Sequence, residues 1–101
     1  MSIKSVFVGI RLWAAGKNLI TGSTWQKQFG KLQEEVNEAK EAMEQQDLAK
    51  VKDELGDCGV VLTLLAAQHG LNFEDCLEAA LAKISKRTGK VIDGVFVKDS
   101  Y

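Results

Sequence analysis

The stretch "DLAKVKDELGDCGVVLTLLAAQHG", residues 47–70, decides the architecture of this chain. It is typical of one long helix, because Asp47 is a favourable N-cap residue and Gly70 a favourable residue to end a helix. Within its apolar part, residues 55–67, the only charged side chain is Asp57. An unpaired buried carboxylate costs several kcal/mol. The sequence therefore predicts that something compensates the charge of Asp57.

Capping signals divide the rest of the chain into three further helices. The first covers roughly residues 3–17. The second opens with an S-x-x-Q capping box at Ser23 and continues to about Glu44. The fourth is capped by Asn72 and ends near Thr88. We therefore expect an all-α fold, a bundle of about four helices.

The segment "VIDGVFV", residues 91–97, follows the last helix and has a different pattern. Its Asp-Gly pair lies between β-branched residues, which is typical of a hairpin with a type I′ turn. A short C-terminal β-hairpin is therefore predicted. No proline, repeat or low-complexity tract marks a linker, so residues 1–101 are interpreted as a single domain.

The second helix carries an apolar stripe that is predicted to face a core. Its members recur at steps of three and four: Trp25, Phe29, Leu32, Val36, Ala39 and Met43. A chain of 101 residues has a thin core, since it buries only about 60–65% of its unfolded surface. We expect oligomerisation, as a homodimer or homotetramer, to complete that core.

Composition excludes several classes of function. A net charge of -1 and 46% hydrophobic residues describe an ordinary globular protein and give no electrostatic case for binding nucleic acid or membranes. The apolar segments are shorter than the roughly 18 residues that a membrane span needs. The two cysteines lie inside apolar runs, which favours reduced thiols. These features predict a cytoplasmic protein.

Two acidic pairs stand out on the two central helices. Glu35 and Glu38 lie at i and i+3 near the edge of the apolar stripe, and Glu54 and Asp57 repeat that spacing on the next helix. Antiparallel neighbours would bring all four carboxylates into one seam, where they would repel each other. A hard divalent cation, Mg²⁺ or Mn²⁺, would supply the missing positive charge.

Simpler interpretations of these residues remain open. A run of glutamates around Glu34 is also typical of a solvated helix face, and Asp57 could pair with a lysine or arginine of another helix. Gly56 and Gly59 flank Asp57. They could allow close helix packing, or they could leave room for an ion and its ligand.

The acidic motifs E-E-x-x-E and E-x-x-D, in this order, resemble those of the MazG-like family of all-α nucleoside triphosphate pyrophosphohydrolases. The resemblance covers nearly the whole chain. The segments "LWAAGKNLITGSTWQKQFGKLQEEVNEA", "DELGDCGVVL" and "ISKRTGKVIDGVFVK" are similar to short phage or bacterial members. It implies hydrolysis of a (deoxy)nucleoside triphosphate between the α- and β-phosphates, giving a monophosphate and pyrophosphate, for nucleotide pool clean-up.

The resemblance also implies roles for the acidic residues. Glu35, Glu38, Glu54 and Asp57 would be catalytic residues that bind Mg²⁺, with Mn²⁺ as a substitute. Glu34, the first residue of the motif, would orient the attacking water or belong to the solvated face. The metal would polarise the phosphate and help to generate the nucleophile.

A triphosphate also requires cations. Lys83, Arg87 and Lys90 lie where the fourth helix ends, and they are predicted to clamp phosphate. The alternative is that they only complement the helix C-terminus. Lys31, one turn before Glu35, is predicted to reach phosphate as well.

Base recognition requires aromatic and amide groups. Trp13, Asn18, Trp25 and Gln28 lie near the turn between the first two helices. We predict that Trp13 and Asn18 contact substrate, with core packing as the alternative for both tryptophans. A different class of function also stays open: a non-catalytic helical interaction module whose acidic seam binds a basic partner.

Overall fold

Four helices and a terminal hairpin make up the fold. A computed structural model of the chain describes residues 1–99. Its elements, in chain order, are α1 (Ile3–Gly16), α2 (Trp25–Glu44), α3 (Leu48–Gln68), α4 (Phe73–Ile84), β1 (Gly89–Ile92) and β2 (Val95–Lys98). The predicted helical bundle with a small C-terminal hairpin is therefore confirmed.

Helices α2 and α3 form the centre of the fold. Only three residues, 45–47, connect them, so two helices of about 30 Å each that contact each other along their length must run antiparallel. The predicted cap of α3 is confirmed, because the Asp47 carboxylate accepts a hydrogen bond from the Lys50 amide at 3.2 Å. This hairpin of helices positions the acidic pairs opposite each other.

Helix α1 packs against α3 and α4. Its Arg11 guanidinium donates two hydrogen bonds to the Glu74 carboxylate of α4, at 2.6 and 2.7 Å. The rings of Phe7 and Phe73 meet edge to face with centroids 6.0 Å apart. A charged pair and an aromatic pair therefore fix α4 on α1.

Two helix boundaries differ from the predictions. The N-cap of α2 is Thr24, whose hydroxyl accepts a hydrogen bond from the Lys27 amide, whereas the Ser23 hydroxyl accepts a hydrogen bond from a glutamine side chain instead.

The second difference concerns helix α4, which ends at Ile84. Beyond it the Lys86 and Arg87 amides bond to carbonyls three residues back, which tightens the chain and terminates the α-helix. Asn72 occupies the N-cap position of α4 without a side-chain capping bond.

The terminal hairpin has the predicted turn. Asp93 and Gly94 both have positive φ, 51° and 80°, as a type I′ turn requires. The strands pair antiparallel, with Ile92 opposite Val95. Every residue of both strands is exposed in the isolated chain.

The apolar stripe of α2 is only partly buried. Helix α2 instead turns a different face toward α3, and that face includes Glu35, Ala39 and Ala42, which are buried. This face lies about a quarter of a turn from the centre of the stripe. The prediction that the whole stripe faces the core is therefore wrong: Val36 and Met43 are 52% and 50% exposed.

Exposed apolar side chains gather on one side of the α2–α3 pair, which we call the open face. Its members are 47–80% exposed: Trp25, Phe29, Val36, Met43, Leu48 and Leu55. Helical periodicity places the α2 and α3 members on the same side of the antiparallel pair. The radius of gyration, 16.0 Å, exceeds the ~13 Å of a compact chain of about 100 residues. The single chain thus leaves much apolar surface uncovered.

A membrane-spanning role finds no support in the helices. Within residues 1–99, none combines the length and the apolar composition that crossing a bilayer requires.

Candidate functional site

Three carboxylates meet where α2 crosses the N-terminal half of α3. Glu35 and Glu38 lie one turn apart on α2, and Glu54 faces them from α3. One oxygen from each lies within 4.8 Å of those of the other two. We call Glu35, Glu38 and Glu54 the acidic cluster. The sequence predicted that four carboxylates converge here, and three of them do, because the face of α2 that carries Glu35 packs against α3.

The acidic cluster is partly withdrawn from water. Glu35 is buried, with 6% of its surface exposed. Its Oε2 atom and the Oε2 atom of Glu54 are buried, and neither has a hydrogen-bond partner among residues 1–99. Lys31 Nζ lies 3.2 Å from the other carboxylate oxygen of Glu35. Among residues 1–99, Lys31 is the cation that pairs with the cluster, so three carboxylates face one positive charge.

The repulsion has a direct effect on Glu54. A hydrogen bond with Glu38 raises the pKa of Glu54 to about 7, with burial and the nearby Glu35 adding to the shift. A proton bound by Glu54 therefore relieves the repulsion when no cation is present. A cation site without its cation is expected to contain buried acceptors without partners and a carboxylate with a raised pKa, and the acidic cluster has both features.

The donor set indicates which metal fits. The cluster offers carboxylate oxygens, which are the ligands of hard divalent cations such as Mg²⁺ and Mn²⁺. Cys58 is the nearby soft ligand, but burial and then Glu35 raise the pKa of its thiol. The thiol is therefore protonated at neutral pH and offers no thiolate. The residues present fit a hard cation.

Asp57 differs from its predicted environment. The carboxylate is exposed in the isolated chain, so the expectation that Asp57 is buried is wrong, and burial does not compel it to find a counter-charge. The physical reason is that Asp57 borders two open cavities, one between α1, α2 and α3 and one between α1 and α3, which leave its side chain accessible. Asp57 lies outside the acidic cluster but borders the same cavity as Glu35. Its role as a metal ligand stays a prediction.

The glycines that flank Asp57 are not sites of close packing. A Cβ atom added at Gly56 or Gly59 would meet nothing within 4 Å. Within the single chain, the structure thus argues against helix packing as the reason for these glycines.

A cavity of about 590 Å³ lies between α1, α2 and α3, next to Glu35. Its walls combine apolar, cationic and amide side chains: Trp13, Leu19, Ser23, Lys27, Gln28, Lys31, Glu35, Asp57, Val60, Val61 and Leu64. The volume lies in the range of small-molecule sites. The acidic cluster therefore stands beside a cavity large enough for an organic ligand.

Two lysines of α2 border this cavity. Lys31 was predicted from the sequence, and it also approaches the exposed Glu34 at 3.5 Å. Lys27 was not predicted, although it precedes Lys31 by one helical turn and that spacing places both on one face. The i, i+4 lysine pair was the signal that could have identified Lys27.

The predicted phosphate clamp lies elsewhere in the chain. Lys83 is in the last turn of α4, Arg87 follows that helix, and Lys90 belongs to β1. None of them borders the cavity. Among the described residues, neither α4 nor the hairpin contacts α2. Their role in binding phosphate stays a prediction.

The residues predicted to recognise the base have separate environments. Trp13 borders the cavity and is 51% exposed. Asn18 adopts a positive φ of 58° and accepts a hydrogen bond from the Thr21 hydroxyl. It therefore shapes the α1–α2 loop, and it does not border the cavity. Trp25 lies on the open face.

These features define a class: a mostly helical protein with a cluster of carboxylates beside a ligand-sized cavity. The model of the family described as "MazG nucleotide pyrophosphohydrolase domain" matches residues 24–92. The chain belongs to this family. The match includes the whole acidic cluster, Asp57, and both lysines of the cavity.

One relative comes from Haemophilus phage HP1 (strain HP1c1) and is described as an uncharacterized 18.2 kDa protein in the rep-hol intergenic region. It is 37% identical over 70 residues, which cover 69% of this chain and 43% of the phage protein. The aligned part thus spans less than half the length of that relative. No solved structure matches the chain significantly.

Proposed function

We propose that the protein is a Mg²⁺-dependent nucleoside triphosphate pyrophosphohydrolase that acts in the cytoplasm and removes unwanted nucleotides. It would cleave a (deoxy)nucleoside triphosphate between the α- and β-phosphates to a monophosphate and pyrophosphate. The observation that carries the proposal is the acidic cluster, whose buried oxygens lack partners, beside the cavity of a MazG domain.

Each acidic residue of the site would have its own role. Glu35, Glu38 and Glu54 would hold the cation, and Asp57, one turn after Glu54 and bordering the same cavity, would be the fourth ligand. When bound, the cation supplies charge to the phosphate oxygens and activates the attacking water. Glu34, exposed beside Lys31, would orient that water.

The phosphates would be held by lysines of the cavity. Lys31 Nζ is already placed by the Glu35 carboxylate, whose hydrogen bond is the main reason that the pKa of Lys31 is raised. The lysine therefore stays charged and can neutralise a phosphate oxygen. Lys83, Arg87 and Lys90 would bind phosphate only if the α4 end approaches a cavity, in this subunit or in a partner.

A homodimer or homotetramer belongs to the same proposal. The open face presents apolar side chains from two helices, and a second copy of the chain would cover them by forming a four-helix arrangement. This assembly would also complete the thin core of Ala39, Ala42, Val61 and Leu64.

A substrate panel tests the activity. Purified protein is incubated with the common ribo- and deoxyribonucleoside triphosphates and Mg²⁺, and pyrophosphate release is measured. We expect Glu38→Ala to lower kcat/KM by more than about 100-fold, because a ligand of the cation is lost. Glu44→Ala is the matched control, since Glu44 is an exposed glutamate of α2 outside the cluster.

The outcomes separate the two classes of function. Pyrophosphate release that requires both Mg²⁺ and Glu38 supports the enzyme. No release from any nucleotide, together with no thermal stabilisation by Mg²⁺, would favour the non-catalytic interaction module.

A further inference from the structure

The cavity has two ends of different chemistry. Along α2 it extends from Glu35 to Lys27, eight residues and about 12 Å at 1.5 Å per residue, and Ser23 lines it just before that helix begins. One end adjoins the acidic cluster. The other lies under the α1–α2 loop, where Leu19 and Leu64 are among the lining residues. We call this second part the loop end.

An amide lies at the loop end. Gln28 Nε2 donates a hydrogen bond to the Ser23 hydroxyl at 3.1 Å, in a partly buried position. This bond fixes the orientation of the Gln28 side chain. No other group among residues 1–99 takes its carbonyl oxygen or its second N–H. Gln28 thus presents one acceptor and one donor beside apolar walls.

That combination is complementary to a nucleobase. A base has apolar faces, which aliphatic and aromatic side chains cover, and a polar edge that carries donors and acceptors. An amide that offers both kinds of group can bond bidentately to such an edge. Phosphates have no need of apolar walls, and they are matched by Lys31 and the acidic cluster toward the other end.

We propose that the loop end is the base pocket and that Gln28, held by Ser23, determines which base is accepted. This inference rests on the proposed function. It also fixes the direction of the nucleotide: the base lies toward the α1–α2 loop and the phosphates toward Glu35, with Lys31 between them. Ser23 is a positioning residue, because it acts through the Gln28 amide.

The test compares base selectivity between matched variants. The kcat/KM values of the four deoxynucleoside triphosphates are measured for wild type, Gln28→Leu and Ser23→Ala. Gln26→Leu is the control, because Gln26 is an exposed glutamine of α2 that does not line the cavity. Inorganic tripolyphosphate, which has no base, serves as a competitive inhibitor.

We expect Gln28→Leu to reduce the ratio between the best and worst substrates at least about tenfold, the effect of losing hydrogen bonds to a bound base. Ser23→Ala should also reduce the ratio between the best and worst substrates, and its Tm should equal that of the wild type. The inhibition constant of tripolyphosphate should stay the same in every variant. A selectivity ratio that Gln28→Leu leaves unchanged overturns the inference.

Binding supplies a readout that needs no turnover. The Kd values of the four nucleoside monophosphates are measured by calorimetry without metal. Selective binding that Gln28→Leu abolishes and Gln26→Leu preserves supports the base pocket. If wild type hydrolyses nothing, the proposed function fails while this titration still decides the inference. Unselective binding, or selectivity that survives Gln28→Leu, overturns it.

Discussion

Glu35 illustrates how one side chain links fold and site. The same rotation of α2 that buries Glu35 exposes apolar residues such as Val36. A helix that only maximised apolar burial would turn the other way. The isolated chain therefore leaves apolar side chains uncovered while it brings a carboxylate against α3, and this is consistent with selection for a site rather than for the stability of the single chain.

Glu54 leads to a prediction about metal binding and pH. The cation needs the carboxylate form, so binding displaces the proton that Glu54 holds with a pKa of about 7. We expect the Mg²⁺ affinity to rise roughly tenfold from pH 6 to pH 8, since the competing proton is lost over that range. Calorimetry at both pH values, in buffers of different ionisation enthalpy, measures the affinity and the released proton.

The metal-free protein should show the opposite dependence. The folded-state pKa of Glu54 is raised above its unfolded value, so the folded state binds more protons between about pH 4.5 and 7 and loses stability as pH rises through that window. Glu54→Gln should remove both effects, and Glu44→Gln should remove neither. A pH-independent Mg²⁺ affinity in the wild type would contradict the prediction.

The Arg11–Glu74 pair predicts an acid-sensitive contact. The hydrogen bonds from Arg11 are the main cause of the lowered pKa of Glu74. A lowered folded-state pKa stabilises the protein above the unfolded value of about 4.5, and this contribution disappears as pH falls through the folded value. Glu74→Gln should lower the Tm at pH 7 and match wild type near pH 2.

Thermal melts from pH 2 to 7 measure that difference. Glu78→Gln is the control, because Glu78 is exposed on the same helix and makes no ion pair among residues 1–99. A Tm difference for Glu74→Gln that does not change with pH would show that the pair contributes through packing instead of charge.

The individual residues show what the sequence could predict. Helical spacing at i and i+3, with antiparallel packing of α2 and α3, was sufficient to predict that Glu35, Glu38 and Glu54 converge. The same spacing did not predict that Asp57 is exposed, since exposure depends on how the other helices pack around α3. Gln28 was singled out for its amide, but its bond to Ser23 depends on the loop geometry, which no local rule supplies.

At the scale of elements, the positions of the helices were predictable from the sequence, but the face that each helix buries was not. Asp47 and the Asp-Gly turn fixed boundaries that the structure confirms. Ser23 and Thr24 are both good cap residues, so composition could not decide between them. The orientation of α2 follows from its partner α3, and the hydrophobic pattern alone pointed to the wrong face.

Helix α3 offers a prediction about stability. Gly56 lies inside the helix, and an added Cβ would meet nothing within 4 Å. Gly56→Ala should therefore raise the free energy of unfolding by about 1 kcal/mol, because alanine has the higher helix propensity. Urea denaturation measures the change.

The comparison with Gly94→Ala makes that result specific. Gly94 has a φ of 80°, so alanine there should destabilise the turn instead. If Gly56→Ala also destabilised the protein, the neighbourhood of Gly56 would have to be filled, for example by a partner subunit.

The whole molecule is extended and incompletely covered. Apolar residues of the open face, of α4 and of both hairpin strands are exposed in the isolated chain. A two-stranded hairpin without cover has marginal stability. This exposed apolar surface is consistent with the oligomer that we propose.

The open face gives a test of that oligomer. We expect the wild type to be at least a dimer at micromolar concentration by light scattering. Val36→Glu should shift it to the monomer, because a second copy would have to bury the new charge. Asn37→Glu is the control, since it adds the same charge on the neighbouring position of α2, away from the open face. A monomeric wild type would contradict the prediction.

The short connection at residues 45–47 sets how the carboxylates of α2 align with the carboxylate of α3 in the acidic cluster. Each residue inserted into either helix between Glu38 and Glu54 would swing the following carboxylates around the axis by about 100°. The number of residues between Glu38 and Glu54 is therefore as constrained as the identity of the glutamates themselves. A chain could keep every acidic residue and still lose the proposed cation site through a single insertion there.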